Sequence, residues 1–198
     1  MLTEIKEKII RIKEEKSKKP NQPILIAIDG KSGSGKSTLG ERLKEELGGN
    51  LFHMDDFFLR PSQRTEERLE EIGGNVDYER FYPILRQIQQ GETAIYQPYS
   101  CKLQVLEEEM TITPQVINIV EGSYSMHPYF GEIYDLTVAL NIGKEEQRER
   151  ILKRNGEEMF QRFETEWIPK ENAYLEKFRI YEKSHLVFNV SQYKSFYS

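Results

Sequence analysis

Apolar and polar residues alternate along this chain with two different periods, and the changes of period predict helices alternating with strands. An amphipathic helix is predicted over 2–17, within an N-terminal segment 1–19, because apolar residues recur there at three- and four-residue steps among charges: Leu2, Ile5, Ile9 and Ile12. We expect it to pack against the edge of the domain, since its glutamates would oppose an anionic membrane surface. Pro20 and Pro23 are expected to end the helix and to introduce a strand, Ile24 to Asp29.

The rest of the chain continues this alternation. A helix with Leu39, Leu43 and Leu47 on one face follows the first strand, and Gly48-Gly49 ends it. Further helices are predicted over 77–90 and from Lys144, and further strands at NLFHMDD, QVINIVEG, DLTVALNI and HLVFNV. Such alternation is typical of a parallel sheet with right-handed crossovers and helices on both faces. We therefore predict a single three-layer α/β domain over 1–198.

Three segments depart from the alternation and are expected to project from the sheet. Residues 57–76 are polar and contain Pro61 and Gly73-Gly74, which is typical of a surface excursion. Residues 93–114 have the β-branched alternation of a hairpin or an extended flap. We expect both segments on the substrate side of the domain. The charged stretch over about 144–170 is predicted to form a helical lid.

The segment between the first strand and the next helix matches the pattern G-x-x-x-x-G-K-[ST] in full. Its glycines let successive backbone N–H groups point inward around anionic oxygens, and the helix adds the positive end of its dipole. A glycine- and serine-rich linker is the alternative, which the flanking strand and helix disfavour. We predict that this loop, a P-loop, binds ATP through Gly30, Lys31, Ser32, Gly33, Ser34, Gly35, Lys36, Ser37 and Thr38.

Two acidic residues, Asp55 and Glu121, each follow or end a predicted strand. In an open α/β sheet such residues lie beside the phosphate site. Asp55 can accept the proton of an attacking hydroxyl or hold Mg²⁺, although a simple turn is the alternative for Asp55 and Asp56. The predicted magnesium site combines Asp55 and Glu121 with the hydroxyl of Ser37, and Lys36 is predicted to reach the β- and γ-phosphates.

The lid stretch crowds arginines among glutamates, and a salt-bridged, solvated helix accounts for most of them. Phosphoryl transfer still needs a cation over the γ-phosphate as charge moves in the transition state. We assign this catalytic role to Arg150 and Arg154, alongside Lys36 and Asp55.

In their order, the P-loop and the segments MDDFF, GGNVDYERF, IYQPYS and IVEGSY resemble the uridine kinase and phosphoribulokinase group of P-loop kinases. The resemblance runs from Ile24 to about His185, and it extends to nicotinamide riboside kinases through DDFF and EWIPKENAY. It implies that Asp55 is the catalytic base, that Asp77 contacts the sugar hydroxyls and that Tyr96 of the flap contacts substrate. Phe57 is expected to stack on a nucleobase, with core packing as the alternative.

Two segments depart from the uridine kinase pattern. Those enzymes carry a base-contacting histidine in the flap, where this chain has YSCKL with Cys101 or Lys102. Their lid also has a regular pattern of Arg-Asp and Arg-Gly-Arg that RILKRNGEEMFQRF does not reproduce. The missing histidine argues against specificity for uracil, and the different lid pattern argues against a direct transfer of the lid arginine roles. Neither departure changes the expectation of phosphoryl transfer.

Composition narrows the setting. The net charge of −5 argues against a nucleic-acid partner, and no apolar run reaches the roughly 18 residues that span a bilayer. The N-terminus lacks the apolar core of a secretory signal, and the single cysteine, Cys101, cannot form an internal disulfide. We therefore expect a cytoplasmic protein with no membrane partner. Its oligomeric state stays open, a homo-oligomer included.

The expected activity is that of a kinase that uses ATP and Mg²⁺ to phosphorylate a hydroxyl group of a small molecule. The first expectation for the acceptor is the 5′-hydroxyl of a nucleoside such as uridine or cytidine. Nicotinamide riboside, pantothenate or another small alcohol is the alternative acceptor. A nucleotide-dependent switch or regulatory ATPase is the alternative of another class, which Asp55 and Asp77 disfavour because a switch needs no sugar-binding acids.

Overall fold

A computed structural model of the chain describes residues 1–16 and 22–193. Its helices are α1 (Leu2–Lys16), α2 (Lys36–Leu47), α3 (Glu66–Glu70), α4 (Tyr78–Gln90), α5 (Lys144–Arg162), α6 (Ile168–Lys177) and α7 (Ile180–Lys183). Its strands are β1 (Ile24–Gly30), β2 (Asn50–His53), β3 (Ala94–Tyr96), β4 (Tyr99–Ser100), β5 (Val105–Leu106), β6 (Met110–Ile112), β7 (Ile117–Glu121), β8 (Leu136–Asn141) and β9 (Leu186–Asn189).

Five parallel strands form the central sheet in the order β2-β7-β1-β8-β9. The central strand β1 is buried along its whole length, as parallel strands require when both faces of the sheet are covered. In the register, Ile28 lies beside Glu121 of β7, and Gly30 lies beside Leu140 of β8. The predicted three-layer α/β fold with a parallel sheet is confirmed.

Successive side chains of β1 belong alternately to two separate hydrophobic cores, one on each face of the sheet. Ile24, Ile26 and Ile28 face a cluster that also contains Leu39 of α2 and Ile9 of α1. Leu25 faces the opposite cluster, to which α4 and α6 contribute aromatic side chains. The period of two along the strand therefore fixes which helices cover each face.

The first helix packs as its pattern predicts, because Ile5 and Ile9 are fully buried against the sheet and α2. Lys6 forms an ion pair with Glu46 of α2. The predicted end of this helix at 17, the segment end at 19 and the boundary at Pro20 lie outside the described residues. Within the described residues, no helix combines the length and the apolar character needed to cross a membrane.

The three projecting segments have distinct structures. Residues 57–76 contain α3 and are closed at their base by an antiparallel bridge between Phe58 and Val76. The flap, residues 93–114, holds two nested antiparallel pairs, β3 with β6 and β4 with β5. The lid consists of α5, a π-helical turn over 163–167 and α6, and Gly156 interrupts α5 with φ 79° and ψ 173°.

Candidate active site

The loop after β1 folds into a cradle that needs its glycines. Gly30, Gly33 and Gly35 have φ values of 135°, 77° and 90°, which side chains with a Cβ rarely adopt. A Cβ on Gly30 would lie 2.0 Å from the carbonyl oxygen of Leu140, so the close approach of β8 also excludes any larger residue. Residues 30–38 run from the end of β1 into the first turn of α2, as predicted for the nucleotide site.

The cradle holds polar groups that suit a chain of phosphates. The Lys36 ammonium donates hydrogen bonds to the carbonyl oxygens of Gly30 (2.9 Å) and Lys31 (3.1 Å), across the loop. Gly35 caps α2 without a side-chain hydrogen bond, which leaves the positive end of the helix to an anion. The hydroxyl oxygen of Ser34 is fully buried and has no partner among the described residues. These features fit a bound nucleotide.

A carboxylate closes the other side of the cradle. Glu121 ends β7 and is almost completely buried. Its Oε2 accepts a hydrogen bond of 3.1 Å from the Ser37 hydroxyl, and its Oε1 lies 2.6 Å from Nδ1 of His53. Parallel strand ends bring these groups together, because His53 of β2 is directly beside Glu121 in the register. The bond to Glu121 is the main cause of the raised pKa of His53.

Asp55 lies on the short 3₁₀ turn that follows β2, with its side chain open to solvent. Neighbouring protein atoms remove part of its surrounding water, and this desolvation, followed by the negative charge of Glu121, raises the pKa of Asp55. The positive charges of Lys36, His53 and Arg154 act in the opposite direction. The predicted base, the cradle lysine and a lid arginine therefore share one electrostatic environment.

The predicted magnesium ligands suit a metal that is shared with a nucleotide. The described residues contain no group of three or more His, Cys, Asp and Glu side chains arranged to hold a metal by themselves. Ser37, Asp55 and Glu121 instead supply one hydroxyl and two carboxylates near the cradle. Mg²⁺ in kinases is held by one or two carboxylates together with substrate phosphates and water, so this donor set fits it.

The lid brings its two predicted arginines to different places. The Arg150 guanidinium donates to the carbonyl oxygen of Gly33 (3.2 Å) and pairs with Glu146 (2.6 Å), so it contacts the cradle directly. Arg154 is exposed and bonds to the side chain of its neighbour Asn155 (2.7 Å). It is still close enough to Asp55 to lower the pKa of that carboxyl.

Asp77, predicted to bind sugar hydroxyls, is buried at the start of α4. One carboxylate oxygen caps the helix by accepting from the backbone N–H of Arg80 (3.2 Å), and the other accepts from Gln63 (2.9 Å). Arg80 in turn donates to the carbonyl oxygens of Gln97 (2.6 Å) in the flap and Asp56 (2.7 Å). Arg80 therefore ties the flap to the turn after β2, and Asp77 holds the start of α4 to the segment 57–76.

The two aromatic residues predicted to contact substrate lie in the core. Phe57 is fully buried and stacks on Phe81, with ring centroids 3.8 Å apart, and on Tyr96 at 5.2 Å. Its ring does not reach the surface, so the structure favours core packing over stacking on a nucleobase. Tyr96 is 7% exposed, and burial, followed by the charge of Asp56, raises its pKa to about 12.

Comparison with known proteins agrees with this geometry. No family model matches the chain. Uridine-cytidine kinase D of Dictyostelium discoideum is 22% identical over 133 residues, which cover 64% of this chain and 25% of that protein. The chain spans about a quarter of the length of the curated relatives it matches.

Two solved structures are similar over most of their length. A protein of Bacillus stearothermophilus described as a possible uridine kinase has a TM-score of 0.64 and 21% identity, covering 94% of this chain and 100% of its own. A protein of Silicibacter sp. TM1040, provisionally described as a fructose transport system kinase, has a TM-score of 0.73 and 18% identity, with 95% and 98% covered. The chain has the same fold as these two structures, the P-loop NTPase fold predicted from the sequence.

Sequence analysis did not single out two buried carboxylates near the cradle, those of Asp29 and Glu171. Asp29 accepts hydrogen bonds from the backbone N–H groups of Gly30 (2.6 Å) and Met126 (2.9 Å) and from the Tyr174 hydroxyl (2.6 Å). Burial nevertheless raises its pKa. Asp29 ends an apolar strand, which is the same signal that singled out Glu121.

The second of these carboxylates is that of Glu171 in α6, which is 5% exposed and contacts Ser32 of the cradle. Nothing in the chain near Glu171 signals this contact, since the two residues are 139 positions apart. Only the three-dimensional arrangement of the lid and the cradle brings them together.

Proposed function

We propose that this protein is a kinase that transfers the γ-phosphoryl group of ATP to a hydroxyl group of a small molecule. One observation carries the proposal: Lys36 bonds across the glycine cradle, Glu121 bonds to Ser37 at its side, and Asp55 lies on the turn that begins directly after His53, which bonds to the same Glu121. A phosphate site alone serves many functions. A carboxylate open to solvent at its side is what an acceptor hydroxyl needs.

In the proposed reaction, a bond forms between the acceptor oxygen and the γ-phosphorus while the bond from that phosphorus to the bridging oxygen of ADP breaks. Asp55 takes the proton of the acceptor hydroxyl from its solvent-exposed position on the turn that follows β2. Lys36 and the cradle N–H groups stabilise the charge on the transferred group, with Arg150 and Arg154 closing over it.

ATP and Mg²⁺ are the proposed cofactors, and Ser37, Asp55 and Glu121 would hold the metal. The metal would neutralise the charge of the β- and γ-phosphates. Glu121 is prepared for this role by its position, since β7 buries its stem and leaves its oxygens toward Ser37 and His53. The orphaned hydroxyl of Ser34 supports the same site, because a phosphate oxygen would give it a partner.

For the acceptor, we propose the 5′-hydroxyl of a nucleoside such as uridine or cytidine. The similarity to a uridine-cytidine kinase and the order of the motifs support it. Asp77 and Tyr96 remain the proposed acceptor-side residues, acting from the floor that α4 and the flap form together. Contact of Asp77 with a sugar would require Gln63 to give up its hydrogen bond.

A second candidate is a kinase for another small alcohol, such as nicotinamide riboside or pantothenate. The observation that favours it is Cys101, which is exposed on the flap where uridine kinases have a base-contacting histidine. Burial, followed by the negative charge of Asp55, raises the pKa of the Cys101 thiol, so the flap residue lies within electrostatic range of the proposed base.

The test is ADP formation by the purified protein with Mg²⁺ and ATP against a panel of nucleosides, nicotinamide riboside, pantothenate and sugars. A reaction without acceptor is the control. We expect uridine or cytidine to stimulate ADP formation well above that control. Stimulation by another alcohol alone would support the second candidate. Steady hydrolysis that no acceptor stimulates would contradict both and favour the switch.

A further inference from the structure

Two lid side chains, those of Glu171 and Gln147, converge on the backbone of Ser32 in the cradle. Its backbone N–H donates to Oε2 of Glu171 (2.9 Å), and its hydroxyl donates to the other oxygen of the same carboxylate. Its carbonyl oxygen accepts from the side-chain amide of Gln147 (2.9 Å). The Ser123 hydroxyl, which follows β7, donates to Glu171 as a third bond (2.8 Å).

Both side chains that hold Ser32 are withdrawn from solvent, with Gln147 4% and Glu171 5% exposed. Within residues 1–16 and 22–193, no lysine, arginine or histidine forms an ion pair with Glu171. Burying a carboxylate costs free energy, and here only hydrogen-bond donors offset that cost. The Glu171 carboxylate is therefore held by the N–H and hydroxyl groups of Ser32 and by the Ser123 hydroxyl.

The two residues that bond to Ser32 come from the two main helices of the lid. Gln147 lies in the first turn of α5, and Glu171 lies in the first turn of α6. Between them the lid has its own small apolar cluster of Ile151, Phe160 and Phe163, the interruption at Gly156 and the π-helical turn. The lid residues between Gln147 and Glu171 therefore pack around a core of their own, and the residues at both ends of this segment bond to Ser32.

We propose that Glu171 and Gln147 are positioning residues that hold the backbone of Ser32 and so set the shape of the nucleotide cradle. Because they belong to α6 and α5, the shape of the cradle depends on how the lid helices pack against it. This inference rests on the proposed nucleotide site. Ser32 directly precedes Gly33, whose carbonyl oxygen binds Arg150, so the two positioning residues and the lid arginine act on adjacent peptides. A cradle that is already oriented binds phosphates without the entropy cost of ordering it.

The test is calorimetric titration of the full-length protein with ADP and Mg²⁺, which measures nucleotide affinity without turnover. Glu171→Gln keeps the size of the side chain but removes its charge and one acceptor. We expect the Kd for the nucleotide to rise about tenfold, as for loss of a hydrogen bond to a charged group. Glu176→Gln is the matched control, since Glu176 lies exposed on the same helix, and its Kd should equal that of the wild type.

A second measurement separates positioning from simple support of the fold. Ser32→Ala removes only the hydroxyl, and in a double-mutant cycle its effect on the Kd should largely disappear in the Glu171→Gln background. Gln147→Ala should also raise the Kd, and it keeps the proposal testable where Glu171→Gln does not fold. Thermal unfolding with and without nucleotide checks that each variant is folded at the titration temperature.

The outcomes separate this inference from the kinase proposal. Wild-type binding that Lys36→Ala abolishes supports the nucleotide site by itself. Equal Kd values for folded Glu171→Gln, Gln147→Ala and wild type would overturn the positioning role and leave that site in place. A wild-type protein that binds no nucleotide would overturn both.

Discussion

At the scale of single residues, the site depends on how Glu121 is neutralised. Its carboxylate is buried, and in the described part of the chain the one basic side chain within ion-pair distance of it is His53, whose pKa is raised mainly by this bond. The hydroxyl of Ser37 completes the arrangement. Hydrogen bonds to His53 and Ser37 therefore hold Glu121 in place at the cradle, while Asp55 stays open to solvent.

Phe57 gives the sharpest residue-scale prediction, because it separates core packing from contact with substrate. Phe57→Ala empties a fully buried site between Phe81 and Tyr96, so we expect the free energy of unfolding to fall by about 3–5 kcal/mol, measured by urea denaturation. Phe58→Ala, at a half-buried neighbour, should cost less. A small loss of stability for Phe57→Ala together with a raised KM for the acceptor would instead favour stacking on substrate.

At the scale of elements, α1 is held by one stripe of side chains. Ile9→Ala should lower the free energy of unfolding by about 2–5 kcal/mol, since Ile9 is fully buried between the sheet and α2. Ile10→Ala, on the same helix at 44% exposure, should change it by less than about 0.5 kcal/mol. Guanidinium unfolding of both variants measures the difference, and equal effects would show that α1 does not pack as described.

Elements whose pattern is local could be read from the sequence. The alternation along β1, the glycine loop and the start of α2 lie within one stretch of about twenty residues, and the structure follows them closely. The interruption of α5 at Gly156 and the π-helical turn were not predicted, because the lid sequence was interpreted as one continuous charged helical stretch. The two nested pairs of the flap also depend on pairing between distant residues.

Part of the candidate site could likewise be predicted from the sequence, and part could not. Asp55 and Glu121 could be found because each stands where an apolar strand stops, and parallel strand ends meet at one edge. Glu171 could not be found, since its partner Ser32 is remote in the chain and buried glutamate has no local signature. Its position at the end of a predicted strand made Phe57 a candidate for contact with substrate. In the structure its ring instead packs on Phe81 and Tyr96 in the core, and these partners are distant in the sequence.

At the scale of the whole molecule, the fold gathers segments from four regions around one cradle. The sheet supplies Asp29 and Glu121 at the carboxyl ends of β1 and β7, and the lid supplies Arg150 and Glu171. Arg80 joins the flap to the turn that carries Asp55. Hydrogen bonds therefore join the lid to the cradle and the flap to the turn that carries Asp55.

The central claim is that Asp55 acts on an acceptor hydroxyl beside bound ATP, and its most direct test compares Asp55→Asn with Asp56→Asn. With Mg²⁺, ATP and the acceptor that stimulates the wild type, we expect Asp55→Asn to lower kcat by about 10²–10⁴-fold, the range for loss of a general base. Its Kd for ADP should stay close to that of the wild type, and Asp56→Asn should keep most of the turnover. Near-normal turnover by Asp55→Asn would contradict the account.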